Sequence, residues 1–158
     1  MSSEFSHVDA SGKIRMVDVS QKPTTRRSAT AGCLILTSAD LSSSASDSNG
    51  LEMIHSARLA GILAAKRTAL LIPLCHPLNL DDIQVEVSTI ASGVEIRSSV
   101  ATVHQTGVEM EALTACAVTA LSLLTSLLAT DRHARMEDLV LLKKSGGRSG
   151  DWGREAEI

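Results

Sequence analysis

Aromatic side chains are almost missing from this chain: 158 residues contain one Phe, one Trp and no Tyr, with Phe5 and Trp152 near the two ends. A protein that stacks single-stranded nucleic acid on aromatic platforms is thereby disfavoured. No charge of one sign dominates, because the formal net charge is −3. That leaves no broad basic field for nucleic acid or an acidic membrane. Cysteine is sparse and odd in number, and Cys33, Cys75 and Cys116 show no paired spacing. Free thiols in a reducing compartment are expected, not a disulfide framework or a zinc site. Residues Met1–Lys13 carry Glu4 and Asp9 and no apolar run, so no signal peptide is expected and the protein is read as cytoplasmic.

What is present is aliphatic. Leu, Ile, Val, Ala and Met must build the core, and the length suits one domain. Residues 1–13 read as a polar, mobile arm, 14–151 as the domain and 152–158 as a tail. Met16–Ser20 is a brief extended piece, and Ser28–Thr37 reads as a first core strand. Asp40–Gly50 is Ser-rich with nothing to bury, the composition of a flexible loop. Leu51–Leu71 repeats small and apolar residues at helical spacing, and its Ala57, Ala60, Gly61, Ala64 and Ala65 permit close approach by a neighbour. Asp82–Ser88 and Val94–Val100 alternate apolar and polar around Ala91-Ser92-Gly93, as an antiparallel hairpin does. A second helix starts at Gly107 and runs to about Thr130, and Leu139–Leu142 closes the domain as a strand. This strand–helix–strand–strand–helix–strand order is the α+β, ferredoxin-like split pattern, with a four-stranded antiparallel sheet and both helices on one face.

Residues 112–129 carry no charge, which raises a membrane-spanning question. Thr114, Thr119, Ser122, Thr125 and Ser126, with no aromatic belt, argue against a span. Such a helix is expected to be buried nearly all round, against another subunit.

Chemistry concentrates at Leu71–Leu78 (LIPLCHPL). Pro73 and Pro77 each remove a donor and push the preceding residue out of helical geometry. Leu74, Cys75 and His76 are thus held in a stiff, irregular connection. Histidine is the side chain type whose unperturbed pKa lies near neutrality, so this is either a functional site or a Pro-braced turn around a hydrogen-bonded core histidine. Lys22, Arg26 and Arg27 could clamp an anion or simply be solvated. Lys66 and Arg67 lie near a helix C-terminus, where the macrodipole favours positive charge in any case. Lys143–Gly150 (KKSGGRSG) can present amide donors and cations to phosphate, although it lacks P-loop order.

Taken together, Met16-Val17-Asp18-Val19, Ala57–Ile62 with Ala64–Thr68, Leu71–Leu78, Thr106–Thr114 (TGVEMEALT) and Lys144–Gly150 (KSGGRSG) resemble one family over residues 7–151. It is the MoaC-type cyclic pyranopterin monophosphate synthases of molybdenum cofactor biosynthesis. The resemblance implies a ferredoxin-like lyase that converts a cyclic dihydro-GTP intermediate to cyclic pyranopterin monophosphate and pyrophosphate. It further implies a homohexamer, a trimer of dimers, with the site at the dimer interface, and no cofactor or metal. Carried over by motif, Leu74, Cys75 and His76 line the pterin-precursor pocket, and Met110 and Glu111 meet the same substrate. Lys66, Arg67 and Lys144 suit its triphosphate, Lys22 and Arg27 less directly. His76 and Glu111 are the expected acid/base residues.

The chain also departs from that pattern. The family's catalytic Asp and, three residues on, its catalytic Lys fall at Thr125 and Leu128. The Lys of a loop motif before the first helix falls at Gly50. Thr125, 14 residues after Glu111, returns to within about 40° of the same helix face and so is expected to point where the acid would stand. Two functions are therefore carried forward: the synthase itself, and a catalytically impaired paralogue that binds a pterin or nucleotide or assembles with an active homologue.

Overall fold

The computed structural model describes residues 7–9, 11–39, 41 and 48–155. Most of the Ser-rich stretch read as a flexible loop lies outside these residues. The chain forms β1 (Thr25–Leu36), α1 (Ser48–Ala65), α2 (Thr68–Leu71), β2 (Asp82–Ile90), β3 (Gly93–His104), α3 (Glu109–Thr130), β4 (Arg135–Ser145) and β5 (Trp152–Gly153). The strands make one antiparallel sheet in the order β2-β3-β1-β4-β5. Without the two-residue β5, this is the expected split ferredoxin-like sheet.

Alternation decides which way each strand faces. In β1, Arg27, Ala29, Ala31, Cys33 and Ile35 turn inward and are buried, and Ile96 and Val100 of β3 join them. α3 packs over β1, β3 and β4, and α1 packs on α3 and β2. Two hydrogen bonds tie α3 to β3: Ser98 Oγ donates to the Ala112 carbonyl at 2.6 Å, and the Cys116 thiol donates to the Ile96 carbonyl at 3.5 Å. The two helices approach closely where Gly61 of α1 meets Thr119 and Ala115 of α3, leaving no room for a Cβ.

The run read as one helix over Leu51–Leu71 is two. α1 ends at Ala65, and Arg67 N donates to the Ala64 carbonyl at 2.9 Å in a tighter turn. The buried Thr68 hydroxyl then donates to the Ala65 carbonyl at 3.0 Å. Such side-chain bonding competes with continuation of the helix.

α3 is long and apolar enough to span a membrane by length and composition. It is nevertheless a core helix along one face only. Ala112, Ala115, Cys116, Thr119, Ala120, Leu123 and Leu127 are buried, whereas Leu121 and Leu128 are exposed. Burial nearly all round does not occur within one chain.

Candidate active site

Residues 72–80 are tied down at three points, which sets the first wall of the site. Cys75 N donates to the Ile72 carbonyl at 3.0 Å, closing a turn with Pro73 and Leu74 at its centre. Thr102 Oγ donates to the Asn79 carbonyl at 2.6 Å, and Val103 N donates to the adjoining Asp81 carboxylate at 2.9 Å. This segment is therefore anchored to the end of β3, beside the start of α3.

The second wall is the first turn of α3. Glu109 and Glu111 both lie there, where the helix dipole favours negative charge. Glu111 turns inward and is only 4% exposed. Burial pushes its carboxyl up to about 7, and the nearby negative charge of Glu109 adds to the rise. Burial, followed by the charge of Glu111, also raises the Cys75 thiol.

Lys144 supplies the third wall through an irregularity in β4. Ala31 pairs with Leu141 and Ala29 with Lys144, so β4 spends one more residue than β1 over this interval. An extra residue in a strand reverses which neighbours share a face. It puts Lys144, rather than Lys143, opposite the inward-facing Ala29. Lys144 Nζ then lies 3.2 Å from Glu109 Oε1 and donates to Ser149 Oγ at 2.8 Å.

These walls enclose a cavity of about 510 Å³ lined by Leu74, Cys75, His76, Met110, Glu111 and Lys144 among others. A neighbouring cavity of about 680 Å³ shares Lys22, Thr106, Gly107, Glu109, Lys144 and Ser149 with the first. Its lining includes Lys22, Arg27, Lys144 and Arg148, four cations against the single carboxylate Glu109. Arg27 is fixed by Nε and Nη2 donating to the His104 and Gln105 carbonyls, each at 3.3 Å. Gly147 has φ +81°, and a Cβ there would overlap the Arg27 guanidinium, so only glycine lets the turn close on that cation. The pair forms one cleft, with His76 and the Glu111 carboxyl in one half and most of the cations in the other.

Of the residues expected at the site, Leu74, Cys75, His76, Met110, Glu111 and Lys144 share the first cavity, and Lys22 and Arg27 enter the second. Lys66 and Arg67 are exposed at the α1–α2 junction and line neither. Thr125 does not face Glu111 either. Its rotation about α3 is as expected, but 14 residues at about 1.5 Å each carry it about 21 Å along the axis. It lines a separate cavity of about 290 Å³ with Asn49, Glu52, Met53, Ser56, Ser122 and Ser126, and its hydroxyl donates to the Ser122 carbonyl at 2.7 Å. Leu128 is 43% exposed and Gly50 is buried in the first turn of α1.

Several lining residues are not singled out by the sequence, among them His7, Gln21 and Thr25. None sits in a pattern with intrinsic chemical meaning. Only the chain path brings them to the cleft.

A ferredoxin-like sheet with a cation-rich cleft beside a helix start makes the protein an α+β domain of the split βαββαβ type. More particularly, the chain belongs to the MoaC family, whose model matches residues 16–147. It is 49% identical to a cyclic pyranopterin monophosphate synthase of Parvibaculum lavamentivorans over 94% of this chain and 96% of that protein. A synthase of the same name from Thermomicrobium roseum is 46% identical, over 96% of this chain and 94% of that protein. The cyclic pyranopterin monophosphate synthase 2 of Mycobacterium tuberculosis is 44% identical, over 97% and 93% respectively.

Proposed function

We propose that the protein acts in molybdenum cofactor biosynthesis, converting a cyclic dihydro-GTP derivative to cyclic pyranopterin monophosphate with release of pyrophosphate. The observation that carries this reading is the continuity of the two cavities through Lys144, Glu109 and Ser149. Rearranging the heterocycle requires proton transfers, and a carboxyl held near neutrality is suited to them. Glu111, raised to about 7, and His76 are the acid/base pair, with Leu74, Cys75 and Met110 shaping the pocket around the ring system. Departing pyrophosphate needs its charge matched, and Lys144, Lys22, Arg27 and Arg148 supply cations along one wall.

Lys66 and Arg67 reach such a substrate only from a neighbouring copy, so the working form is a homo-oligomer, a hexamer arranged as a trimer of dimers. Exposed Leu59, Leu63, Leu70, Leu71, Leu121 and Leu128 support that assembly. A monomer at micromolar concentration in light scattering would refute it.

The impaired-paralogue reading has one observation in its favour: the far cavity on α3 offers Glu52 and hydroxyls but no cation. The deciding experiment offers the cyclic dihydro-GTP intermediate to the protein, with calorimetry for binding and separate assays for pyrophosphate and pterin product. Binding with slow turnover, far below that of a synthase bearing the full residue set, is expected. Binding without turnover would establish the impaired paralogue, and no binding would refute both readings.

A further inference from the structure

Among the described residues, three polar side-chain atoms are sealed from solvent without a hydrogen-bond partner: His7 Nδ1, Thr25 Oγ1 and His104 Nδ1. Such groups are uncommon, and each calls for a reason. Thr25 lines the cationic cavity, His104 lines neither half of the cleft, and His7 lines the half that holds His76 and Glu111.

His7 arrives there on a small, self-contained hairpin. Val8 and Ile14 form an antiparallel bridge, and Arg15 N donates to the His7 carbonyl at 2.9 Å. Asp9 Oδ1 accepts from Ser11 N, Ser11 Oγ and Lys13 N at 2.7–2.9 Å. Gly12, with φ +80°, supplies the left-handed turn. These bonds tie the described residues of the hairpin to one another, yet it brings little to the core: Val8 is 41% exposed and Ile14 75%. Hydrophobic burial does not explain why it rests against the body of the protein. What it delivers to the cleft is an imidazole whose Nδ1 has no task in the fold.

We propose that His7, carried on this hairpin, is a further substrate-contacting residue of the site, its imidazole hydrogen-bonding the polar edge of the bound heterocycle. The inference rests on the cleft taking the cyclic dihydro-GTP derivative. It adds a contact from a segment that lies before the 16–147 span matched by the family. Binding lets the ring turn its unpartnered nitrogen to the ligand, and so relieves the penalty of a polar atom buried without a partner.

The test is calorimetry of the full-length chain with the cyclic dihydro-GTP intermediate. It compares the unaltered protein with His7→Phe, His7→Ala, His7→Asn and, as a control on the cationic half, Lys144→Ala. His7→Phe and His7→Ala should weaken binding roughly tenfold, the loss of one hydrogen bond in a desolvated site. His7→Asn, whose amide stands close to the Nδ1 position, should recover most of it. Unfolding temperatures should not move, because the hairpin buries so little. If Lys144→Ala weakens binding while His7→Phe binds like the unaltered protein, the role of His7 is overturned and the functional reading stands. If His7→Asn is as poor as His7→Ala and both melt early, His7 is structural and the proposal fails. If the unaltered protein does not bind the intermediate, the functional reading falls and the proposal with it.

Discussion

Glu111→Gln should make the protein more stable in a pH-dependent way while removing an acid/base group. Burial raises the Glu111 carboxyl from 4.5 to about 7 in the folded protein, so between those values the folded state holds a proton that the unfolded chain releases. A group with a raised folded pKa contributes its stability in full below the unfolded value and loses it as pH climbs through the folded one. The rise, at about 1.4 kcal/mol per pKa unit, comes to about 3 kcal/mol. That is the cost of keeping a buried carboxylate charged above pH 7. Gln is uncharged at every pH and carries no such cost. Relative to the unaltered protein, Glu111→Gln should hold a constant offset below about pH 4.5, gain stability from there to about pH 7, and level off. At about 2–4 °C per kcal/mol for a chain of this size, the gap in melting temperature should widen by about 6–12 °C between pH 4.5 and pH 8. Thermal unfolding of both proteins across that range measures it, and titrating groups that do not feel the Glu111 charge cancel in the difference. A gap that stays flat with pH would refute the account of why Glu111 is poised near neutrality.

Three further perturbations have defined outcomes. Gly61→Ala forces a methyl into Thr119 and Ala115, so urea unfolding should show a loss of about 1–3 kcal/mol. No loss would mean that α1 and α3 can separate freely. Gly147→Ala strains a left-handed turn and displaces the Arg27 guanidinium, so pyrophosphate affinity in calorimetry should fall at least roughly tenfold with the fold retained. Unchanged affinity would remove Arg27 from the anion site. Thr125→Asp combined with Leu128→Lys changes two exposed positions and should raise pterin formation by about 10²–10⁴-fold, the usual contribution of general acid/base groups. Rapid turnover by the unaltered chain, with no gain in the double variant, would show that other groups carry the proton transfers.

Elements with a strong periodic signal were legible in the sequence. The β2–β3 hairpin and α3 stand where alternation and helical spacing put them. β4 is longer than Leu139–Leu142 because its ladder continues through charged Arg135 and Glu137, which a reading by hydrophobic alternation discards. The break after Ala65 was invisible for the opposite reason: Ala64-Ala65-Lys66-Arg67-Thr68 contains no Gly or Pro. The turn depends on which carbonyls Arg67 and Thr68 find once folded. At the cleft, short motifs revealed residues that lie together in the chain. They could not reveal that a bulge in β4 selects Lys144 over Lys143, or that the axial rise of α3 parts Thr125 from Glu111.

That rise gives α3 two mutational neighbourhoods on one rod. Its first turn carries Glu111 and Met110 into the His76 cavity, while Ser122, Thr125 and Ser126 belong to the cavity beside Glu52. Stability effects of changes more than about 7–10 Å apart generally add, so within one chain the far end can drift without loosening the near one. The two clusters can therefore be varied in separate libraries, each scored for stability, and the best-folding members combined in one chain.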